Sequence, residues 1–204
     1  MSTTTIDPVE RLLNNADQGH MIIKNPNVLR HDYIPNRILH RDKQQELVTQ
    51  SLIPLYRKSI PPNLLVYGKP GTGKTLVIKK VLNQIQNRVD KNSYRIKIVI
   101  TNAKEQSNLY NVLVDLGRQL GLKPKKTPDD KLWLPNTGLS ISEVFNRILY
   151  IIEKNKINSV FVIDEIDHLA KLVDKTGKDI LYSITRANLK LKNGSLSLIG
   201  ISND

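Results

Sequence analysis

Short apolar runs alternate with longer amphipathic stretches along most of this chain. Strands are predicted at residues 64–67, 94–100, 160–163 and 196–201, where apolar side chains are consecutive or alternate with polar ones. Helices are predicted at residues 41–58, 77–89, 109–120, 140–154 and 178–191, most of them from apolar side chains at helical spacing. Because short, wholly apolar strands that alternate with helices are typical of a parallel sheet covered on both faces, the pattern predicts an α/β fold.

The segments between these elements are more polar. The polar composition of residues 1–20 predicts a short helix or a loose arm, and the apolar run at residues 21–23 predicts a brief strand. Residues 121–138 are rich in Pro and Lys, which predicts a loop or an insertion. We find no internal repeat and no low-complexity segment in the chain.

Two of the predicted helices carry signals for their ends. Pro54 is expected to kink or shorten the helix at residues 41–58, because proline has no N–H and its ring clashes with the preceding turn. Ser140, followed three residues later by Glu143, has the spacing of a capping box. We therefore expect the helix at residues 140–154 to begin at Ser140.

Length and composition exclude several classes of protein. The 204 residues fit one domain that buries its own core. The absence of cysteine excludes disulfides, thiolate zinc sites and a cysteine nucleophile, and the four histidines have no metal-ligand spacing. The N-terminus lacks the features of a secretory signal, and no apolar run approaches the ~18 residues of a membrane span. We therefore expect no membrane partner and a reducing, cytoplasmic location.

The charge of the chain indicates an anionic partner. Lys and Arg number 31 against 19 Asp and Glu, a formal net charge of +12, which points to nucleic acid, although a solvated lysine surface gives the same excess. Residues 118–131 contain two acidic side chains and five basic ones. The basic residues are Arg118, Lys123, Lys125, Lys126 and Lys131. If this cluster contacts phosphates, binding will depend strongly on salt. The alternative is a solvated loop beside a core tryptophan, Trp133.

A glycine-rich loop follows the first predicted strand, whose apolar residues predict that it is buried, and precedes a helix. Its residues match G-x-x-x-x-G-K-[ST]: Gly68, Lys69, Pro70, Gly71, Thr72, Gly73, Lys74 and Thr75. In such a phosphate loop (P-loop) the backbone N–H groups point at phosphate oxygens, and the helix N-terminus adds its dipole. Lys74 is expected to reach the β- and γ-phosphates of a bound nucleotide, and Thr75 to hold Mg²⁺ through its hydroxyl. An ordinary glycine turn is the alternative.

Two adjacent carboxylates, Asp164 and Glu165, follow the apolar run at residues 160–163. Ligands of open α/β sheets bind beyond the carboxyl ends of the strands. Asp164 is therefore expected to coordinate Mg²⁺ through water, and Glu165 to polarise a water for attack on the γ-phosphate. Capping of the next helix is the alternative for this pair. For Asp167 and His168 a helix-cap or surface role is the preferred interpretation.

The last predicted strand, residues 196–201, is followed by Ser202, Asn203 and Asp204. An amide at the tip of a strand beside the Asp-Glu strand could orient the attacking water, although Asn at a strand end is usually turn chemistry. The order of P-loop, Asp-Glu strand and Asn-tipped strand is the one expected of an AAA+ ATPase.

The chain resembles the archaeal origin-recognition and cell-division-control initiators, a family of AAA+ ATPases of DNA replication. The resembling segments are residues 32–35, 38–41, 63–68 leading into the P-loop, 135–140, 164–167, 181–186 and 199–204. Residues 164–167 and 199–204 are the most specific of them. The resemblance implies an AAA+ P-loop NTPase core, a parallel sheet with helices on both faces, which binds ATP or ADP with Mg²⁺.

The resemblance also implies roles that the pattern alone does not. It implies that five residues lie against the adenine base: Tyr33, Ile34, Pro35, His40 and Arg41. It makes Asn203 the first sensor residue, and it implies that residues 103–140 carry a helical insertion that touches double-stranded origin DNA. Self-association and the replicative helicase are further implied interactions, in a cytoplasmic, nucleoid-associated location.

The expected organisation is an N-terminal arm at residues 1–30 and a partial AAA+ ATPase domain at residues 31–204. The family pattern continues with a fifth strand, an arginine finger, a helical lid and a winged-helix domain, so we expect the fold to be C-terminally incomplete and ATP hydrolysis by this chain alone to be weak. The predicted function is an ATP-binding and ATP-hydrolysing initiator that recognises origin DNA and supports helicase loading. The alternatives are an AAA+ ATPase of signalling or remodelling without DNA binding, and a nucleotide-gated binding module without turnover.

Overall fold

We describe the protein from a computed structural model of the chain. The structure describes residues 7–17, 19, 25–30, 33–57, 59–89, 95–126, 129–172 and 181–203. Several predicted features lie wholly or partly outside these residues. They are parts of the arm at 1–30 with the strand at 21–23, residue 58 of the helix at 41–58, the first residue of the strand at 94–100, residues 127–128 of the loop at 121–138, the start of the helix at 178–191, and Asp32 and Asp204 of the resembling segments. Among the described residues, no helix is both long and apolar enough to cross a membrane.

The chain divides into two compact units, Met1–Arg37 and Ile38–Asp204. The first unit contains helix α1, Pro8–Asp17, and a short 3-10 helix at Pro26–Leu29. None of the residues of α1 is buried. The division into an arm and an ATPase domain after residue 30 stays a prediction.

The second unit is built on a four-stranded parallel sheet, which confirms the predicted fold class. Its strands are β1 (Leu64–Tyr67), β2 (Ile96–Asn102), β3 (Asn158–Asp164) and β4 (Ser195–Ser202). They lie in the order β1-β4-β3-β2, and every neighbouring pair is parallel. The last strand in the chain therefore lies between the first and the third.

Helices cover both faces of this sheet. They are α2 (Asp42–Tyr56), α3 (Lys74–Arg88), α4 (Ala103–Gln106), α5 (Leu109–Leu120), α6 (Ile141–Asn155) and α7 (Ile166–Leu172). The side chains of β3 alternate between two cores: Phe161 and Ile163 belong to a cluster with α5 and α6, whereas Val160 and Val162 belong to a cluster with α2 and α3. This alternation explains why the strand has no polar face.

Local sequence explains where α6 begins. The Ser140 hydroxyl accepts the Glu143 N–H at 3.1 Å, as expected for an N-cap residue. The Glu143 carboxylate pairs with Arg147 one turn further on, at 2.8 Å. The predicted helix start is confirmed, and Ser140 provides the capping bond while Glu143 forms an i,i+4 ion pair.

The helix that contains Pro54 is shorter than its pattern, as predicted: α2 ends at Tyr56, two residues after the proline, and residue 58 is not described. Two other predictions need correction. The strand at Leu64–Tyr67 is not fully buried, since Leu65 is 61% and Tyr67 74% exposed; β1 is the edge strand of the described sheet and has one covered face. The last predicted helix does not run to residue 191: residues 181–185 are helical and a 3-10 turn, Ala187–Leu189, follows.

The segment at residues 121–138 is mostly loop, as predicted, and it is held against α6. It contains a 3-10 turn, Asp130–Leu132, and Lys123 forms a bridge with Trp133. The Trp133 indole N–H donates to the Pro124 carbonyl at 3.1 Å, and the Arg147 guanidinium of α6 lies 5.6 Å from the centroid of its ring. Trp133 is half-buried and joins the loop to the helix.

Candidate nucleotide-binding site

The residues predicted to carry chemistry meet at one edge of the sheet, beyond the carboxyl ends of β1, β3 and β4. The P-loop follows β1, the Asp-Glu pair ends β3, and Asn203 follows β4. Because β4 lies between β1 and β3, Asn203 lies between the other two groups. The strand order thus brings Lys74 and Asn203, 129 positions apart in sequence, into hydrogen-bond contact.

The P-loop turns sharply between β1 and α3. Gly71 and Gly73 have φ values of 73° and 83°, in the left-handed region that favours glycine. Lys69 and Pro70 form the approach to this turn, and the Lys69 carbonyl accepts the Thr72 hydroxyl at 2.8 Å. Gly73 is the N-cap of α3, and its carbonyl accepts the Val77 N–H at 3.0 Å. The N-terminus of a four-turn helix therefore opens directly on the loop.

Lys74 is the most highly connected side chain of the loop. Its ammonium donates to the carbonyl oxygens of Gly68 at 2.6 Å and Lys69 at 3.0 Å. It also donates to Oδ1 of Asn203 at 2.9 Å. An ammonium group has three N–H donors, so the protein itself provides an acceptor for each of them. The side chain is consequently held over the loop in a single direction.

Thr75 and Asp164 form the second contact between P-loop and β3. The Thr75 hydroxyl donates to Oδ2 of Asp164 at 2.7 Å. The other carboxylate oxygen of Asp164 accepts the Glu165 N–H at 3.0 Å. Both groups are partly buried. Two oxygen ligands of the kind that Mg²⁺ prefers are thus adjacent and oriented at the start of α3.

Glu165 and Asn203 form the third contact. Asn203 donates from Nδ2 to Oε1 of Glu165 at 3.2 Å, so its amide links Lys74 on one side with Glu165 on the other. Glu165 has a φ of 52°, a conformation that non-glycine residues rarely adopt and that tends to occur at functional sites. Its N–H bond to Asp164 supports this strained turn.

Asp167 belongs to this network, although the sequence pattern favours a helix-cap or surface role for it. Its carboxylate accepts the backbone N–H of Asn203 at 3.2 Å. Burial raises the pKa of this carboxyl, but bonds from Asn203 N–H and the Ser202 hydroxyl, with Lys171 nearby, outweigh it and lower the pKa below its ordinary value. The only signal for it in the sequence is the acidic residue three positions after Asp164.

Arg41 lies beside the P-loop. Its Nε donates to the Thr72 carbonyl at 3.0 Å. Together with Tyr67, Val48 and Lys74, Arg41 lines a cavity of about 280 Å³. His40 has a φ of 56°, is exposed and is not among the lining residues. A contact of Arg41 or His40 with adenine stays a prediction.

The other predicted adenine contacts belong to the first unit. Tyr33, Ile34 and Pro35 lie in a segment without helix or strand. Tyr33 is 39% exposed, and its N–H donates to the Arg30 carbonyl at 3.1 Å. Their predicted role against the base stays a prediction.

The basic residues of segment 118–131 differ in their surroundings. Arg118 donates to the Asn136 side chain and is half-buried, and the Lys131 ammonium lies 5.1 Å from the centroid of the Tyr150 ring. The remaining three are exposed and follow one another along the loop: Lys123, Lys125 and Lys126. We call these three residues the basic strip. A large anionic partner can reach all three.

Comparison with known proteins gives consistent results. A family profile described as an AAA domain matches residues 59–203. The ORC1-type DNA replication protein of Cenarchaeum symbiosum (strain A) is 54% identical over 201 residues, 98% of this chain and 47% of that protein. The protein of the same description from Pyrococcus furiosus is 34% identical over 196 residues, 96% of this chain and 44% of that protein. The chain spans about half the length of the curated relatives it matches.

A solved structure is similar over most of the chain. It is the Aeropyrum pernix ORC1 protein in complex with DNA, which superposes with a TM-score of 0.74 at 33% sequence identity. The alignment covers 87% of this chain and 42% of that one. The predicted AAA+ P-loop NTPase fold and the resemblance to archaeal initiators are thereby confirmed.

Proposed function

Because this chain belongs to the AAA family of ATPases, as a homologue of the archaeal ORC1-type DNA replication proteins, we propose that it is the ATP-binding switch of a DNA replication initiator. One observation carries this proposal. Asn203 accepts a hydrogen bond from Lys74 and donates one to Glu165, so the group for phosphate binding is connected to the group for water activation. Binding of a nucleotide in the P-loop would therefore change the position of Glu165 through the hydrogen bonds of Asn203.

Phosphate binding would begin at Lys74. The acceptors of its ammonium are two neutral carbonyls and a neutral amide oxygen. Phosphate oxygens are negatively charged and attract the ammonium more strongly than neutral carbonyl oxygens do, so they would replace the carbonyls of Gly68 and Lys69. Gly71 and Gly73 have the left-handed conformation from which loops form nests of backbone N–H groups that bind anions, and this supports binding of a polyphosphate there.

Thr75 and Asp164 would hold Mg²⁺. Their oxygens fit a hard cation, and the Glu165 N–H fixes the Asp164 carboxylate in its orientation. When bound, Mg²⁺ neutralises charge on the β- and γ-phosphate oxygens. Thr75 can bind the metal through an oxygen lone pair while its hydroxyl hydrogen still donates to Asp164, because a hydroxyl has one donor and two acceptor sites.

Glu165 is the proposed base for hydrolysis. Its carboxylate would accept a proton from the water that attacks the γ-phosphate, and the products would be ADP and phosphate. Asn203 would orient Glu165 through Oε1 and contact the γ-phosphate side of the site through Lys74. The strained φ of Glu165 suits a side chain that must project from a strand tip toward a substrate.

The nucleotide proposal is tested by calorimetric titration of the chain with ATP and ADP in Mg²⁺. Lys74→Ala should weaken ATP binding by about tenfold or more, because the variant cannot form the charge-assisted hydrogen bonds to phosphate. Glu165→Gln should retain ATP binding and lose the weak hydrolysis expected of this chain, which is measured separately as phosphate release. Lys97→Ala removes an exposed lysine on β2 and is the matched control. ATP affinity that is unchanged in Lys74→Ala would contradict the proposal.

We also propose that the basic strip contacts duplex DNA and that, in the longer protein, the nucleotide state governs origin recognition and helicase loading. The support is the exposure of three cations within four residues on a loop held against α6. A further support is the 33% identity to an ORC1 protein whose structure is in complex with DNA. Backbone phosphates are the groups that such a strip would recognise, since lysine binds them as a point charge.

Duplex binding at several salt concentrations tests the second proposal. Replacement of the three lysines of the basic strip by Ala should reduce the slope of log K against log salt by about 2–3, at about 0.9 for each phosphate that a lysine no longer neutralises. A slope equal to that of the wild-type chain would refute a contact between the basic strip and DNA. Absence of duplex binding by the wild-type chain would favour an ATPase without DNA binding. The matched control removes three exposed lysines at other places: Lys43, Lys97 and Lys190.

A further inference from the structure

We propose that Asp167 is a positioning residue, which fixes Asn203 so that its amide links Lys74 to Glu165 and the site distinguishes ATP from ADP. This inference rests on the proposed nucleotide-binding function. It assigns a role to a carboxylate that is neither in the P-loop nor at the tip of β3. The acting group is the Asp167 carboxylate at the start of α7, and its target is the backbone at the end of β4.

The contacts of Asp167 support this role. Oδ1 accepts the Asn203 N–H at 3.2 Å, and the Ser202 hydroxyl also donates to the carboxylate. The Lys171 ammonium lies 4.0 Å from Oδ2. The Asp167 side chain is only 21% exposed, so water competes weakly for these contacts. One carboxylate thus holds the last two described residues of the chain.

The need for such a contact follows from the place of Asn203. β4 ends at Ser202, so Asn203 lies beyond the hydrogen bonds of the sheet. A residue at a strand tip would otherwise sample several backbone conformations, and its amide would lose the direction that serves Lys74 and Glu165 together. The Asp167 bond restricts the backbone at the one point from which the Asn203 side chain leaves.

α7 is itself well placed to transmit this restraint. It follows Glu165 directly, and the Ile166 side chain lies against Gly200 of β4, where an added Cβ would come within 3.1 Å of it. The helix is therefore seated on the strand that ends in Asn203. Glu165 and Asp167 belong to one short segment and both contact Asn203. Glu165 accepts a hydrogen bond from its side-chain amide, and Asp167 accepts one from its backbone N–H.

Loss of this restraint should affect ATP more than ADP. Lys74 of a P-loop reaches the β- and γ-phosphates, and Asn203 is a direct partner of Lys74. We expect Asp167→Ala to weaken binding of a non-hydrolysable ATP analogue by about tenfold, the effect of one hydrogen bond to a charged group. The ADP affinity should change by less than about twofold, since the misplaced amide lies on the γ-phosphate side.

The experiment measures the Kd of a non-hydrolysable ATP analogue and of ADP by calorimetry, in Mg²⁺, for the whole 204-residue chain and its variants. Asp167→Ala is compared with Asp167→Asn, whose amide oxygen can still accept the Asn203 N–H. Asp167→Asn should therefore restore most of the wild-type ratio between the Kd of ADP and the Kd of the ATP analogue. Thermal unfolding of each variant is recorded in parallel. If Asp167→Ala unfolds at the assay temperature, Asp167→Ser replaces it, because the shorter side chain does not reach Asn203.

A double variant tests whether Asp167 acts through Asn203. In an Asn203→Ala background, Asp167→Ala should change the ratio of the two affinities by less than about twofold, because the amide that it positions is gone. Glu153→Ala is the matched control. This carboxylate also accepts backbone N–H groups, those of Lys192 and Asn193, but it lies on α6 away from the site. Its loss should lower the unfolding temperature and leave the ratio unchanged.

The outcomes separate the two proposals. If the wild-type chain binds neither nucleotide, the proposed function is wrong and this inference falls with it. If the wild-type chain binds both and Asp167→Ala keeps the wild-type ratio, the inference alone is overturned. A reduced ratio that persists at full size in the Asn203→Ala background also overturns it. A reduced ratio that Asp167→Asn restores and Asn203→Ala abolishes supports it.

Discussion

Replacement of Thr75 by valine is the sharpest test of the proposed Mg²⁺ ligands. The two side chains have nearly the same shape, so the main effect of the change is the loss of one hydroxyl and its hydrogen bond. In the nucleotide-free protein this hydroxyl donates to Oδ2 of Asp164 at 2.7 Å. Both residues are half-buried, so water replaces part of the lost bond. We expect the free energy of unfolding to fall by about 1 kcal/mol, which lowers Tm by about 2–4 °C for a chain of this size.

The effect on Mg²⁺ is expected to exceed the effect on stability. Mg²⁺ needs near-octahedral coordination by oxygen, and a methyl group at the Thr75 position supplies no ligand. The gain in ATP affinity that Mg²⁺ produces should therefore fall by about tenfold, or ~1.4 kcal/mol. The ATP affinity in EDTA should change by less than about twofold, because Lys74 and the loop backbone remain. The assay is calorimetric titration with ATP in Mg²⁺ and in EDTA.

Two further variants make this test specific. Thr75→Ser keeps the hydroxyl and should retain the Mg²⁺ effect. Thr72→Val removes the other threonine hydroxyl of the loop, which donates to the Lys69 carbonyl at 2.8 Å, and should alter the affinities with and without Mg²⁺ equally. A full Mg²⁺ effect in Thr75→Val would refute the assignment of this hydroxyl to the metal.

Three other predictions concern the fold. Gly194→Ala should lower the free energy of unfolding by about 3 kcal/mol, because the added Cβ would lie 2.8 Å from one backbone carbonyl oxygen and 2.9 Å from another. The assay is thermal unfolding, and an unchanged Tm would contradict this close approach of the backbone to Gly194. Asn63→Ala should lower the free energy of unfolding, measured by urea denaturation, by about 1–3 kcal/mol, because it leaves the Leu198 N–H without its acceptor at 2.8 Å. Asn63→Asp keeps that acceptor and should lower the free energy of unfolding by less. The pKa values of Asp167 and Glu153 are lowered in the folded state, so these groups stabilise the fold above the unfolded pKa of about 4 and lose that effect as pH falls below it. The urea midpoint should drop between pH 5 and 3, and a drop equally large in Glu153→Gln would exclude Glu153 as a contributor.

The elements with strong local patterns could be predicted from the sequence. The apolar stripe at residues 109–120 matches α5, Leu109–Leu120, and Ser140 marks the start of α6. These predictions succeed because helix periodicity and capping depend on residues within a few positions of each other. The P-loop is of the same kind: its eight residues are contiguous, and the left-handed turns at Gly71 and Gly73 are a local property of glycine.

Predictions failed where burial depends on a neighbouring strand. An apolar run such as that at residues 64–67 is consistent with an interior strand, yet β1 lies at the edge of the described sheet and exposes Leu65 and Tyr67. The run at residues 160–163 has the same pattern and is fully buried, because β3 has a strand on each side. The pattern of one strand therefore does not specify its place in the sheet.

By itself the sequence determined the fold class, the P-loop, the Asp-Glu pair and the strand that ends near Asn203, since each is a short contiguous motif with a definite order. The tertiary structure decided how they connect. Placement of β4 between β1 and β3 puts Asn203 in contact with both Lys74 and Glu165. It also brings the Asn203 N–H into hydrogen-bond contact with the carboxylate of Asp167, a residue for which the sequence pattern favours a helix-cap or surface role. The physical reason is that these hydrogen bonds join residues far apart along the chain, and only the packing of the strands brings their atoms within bonding distance.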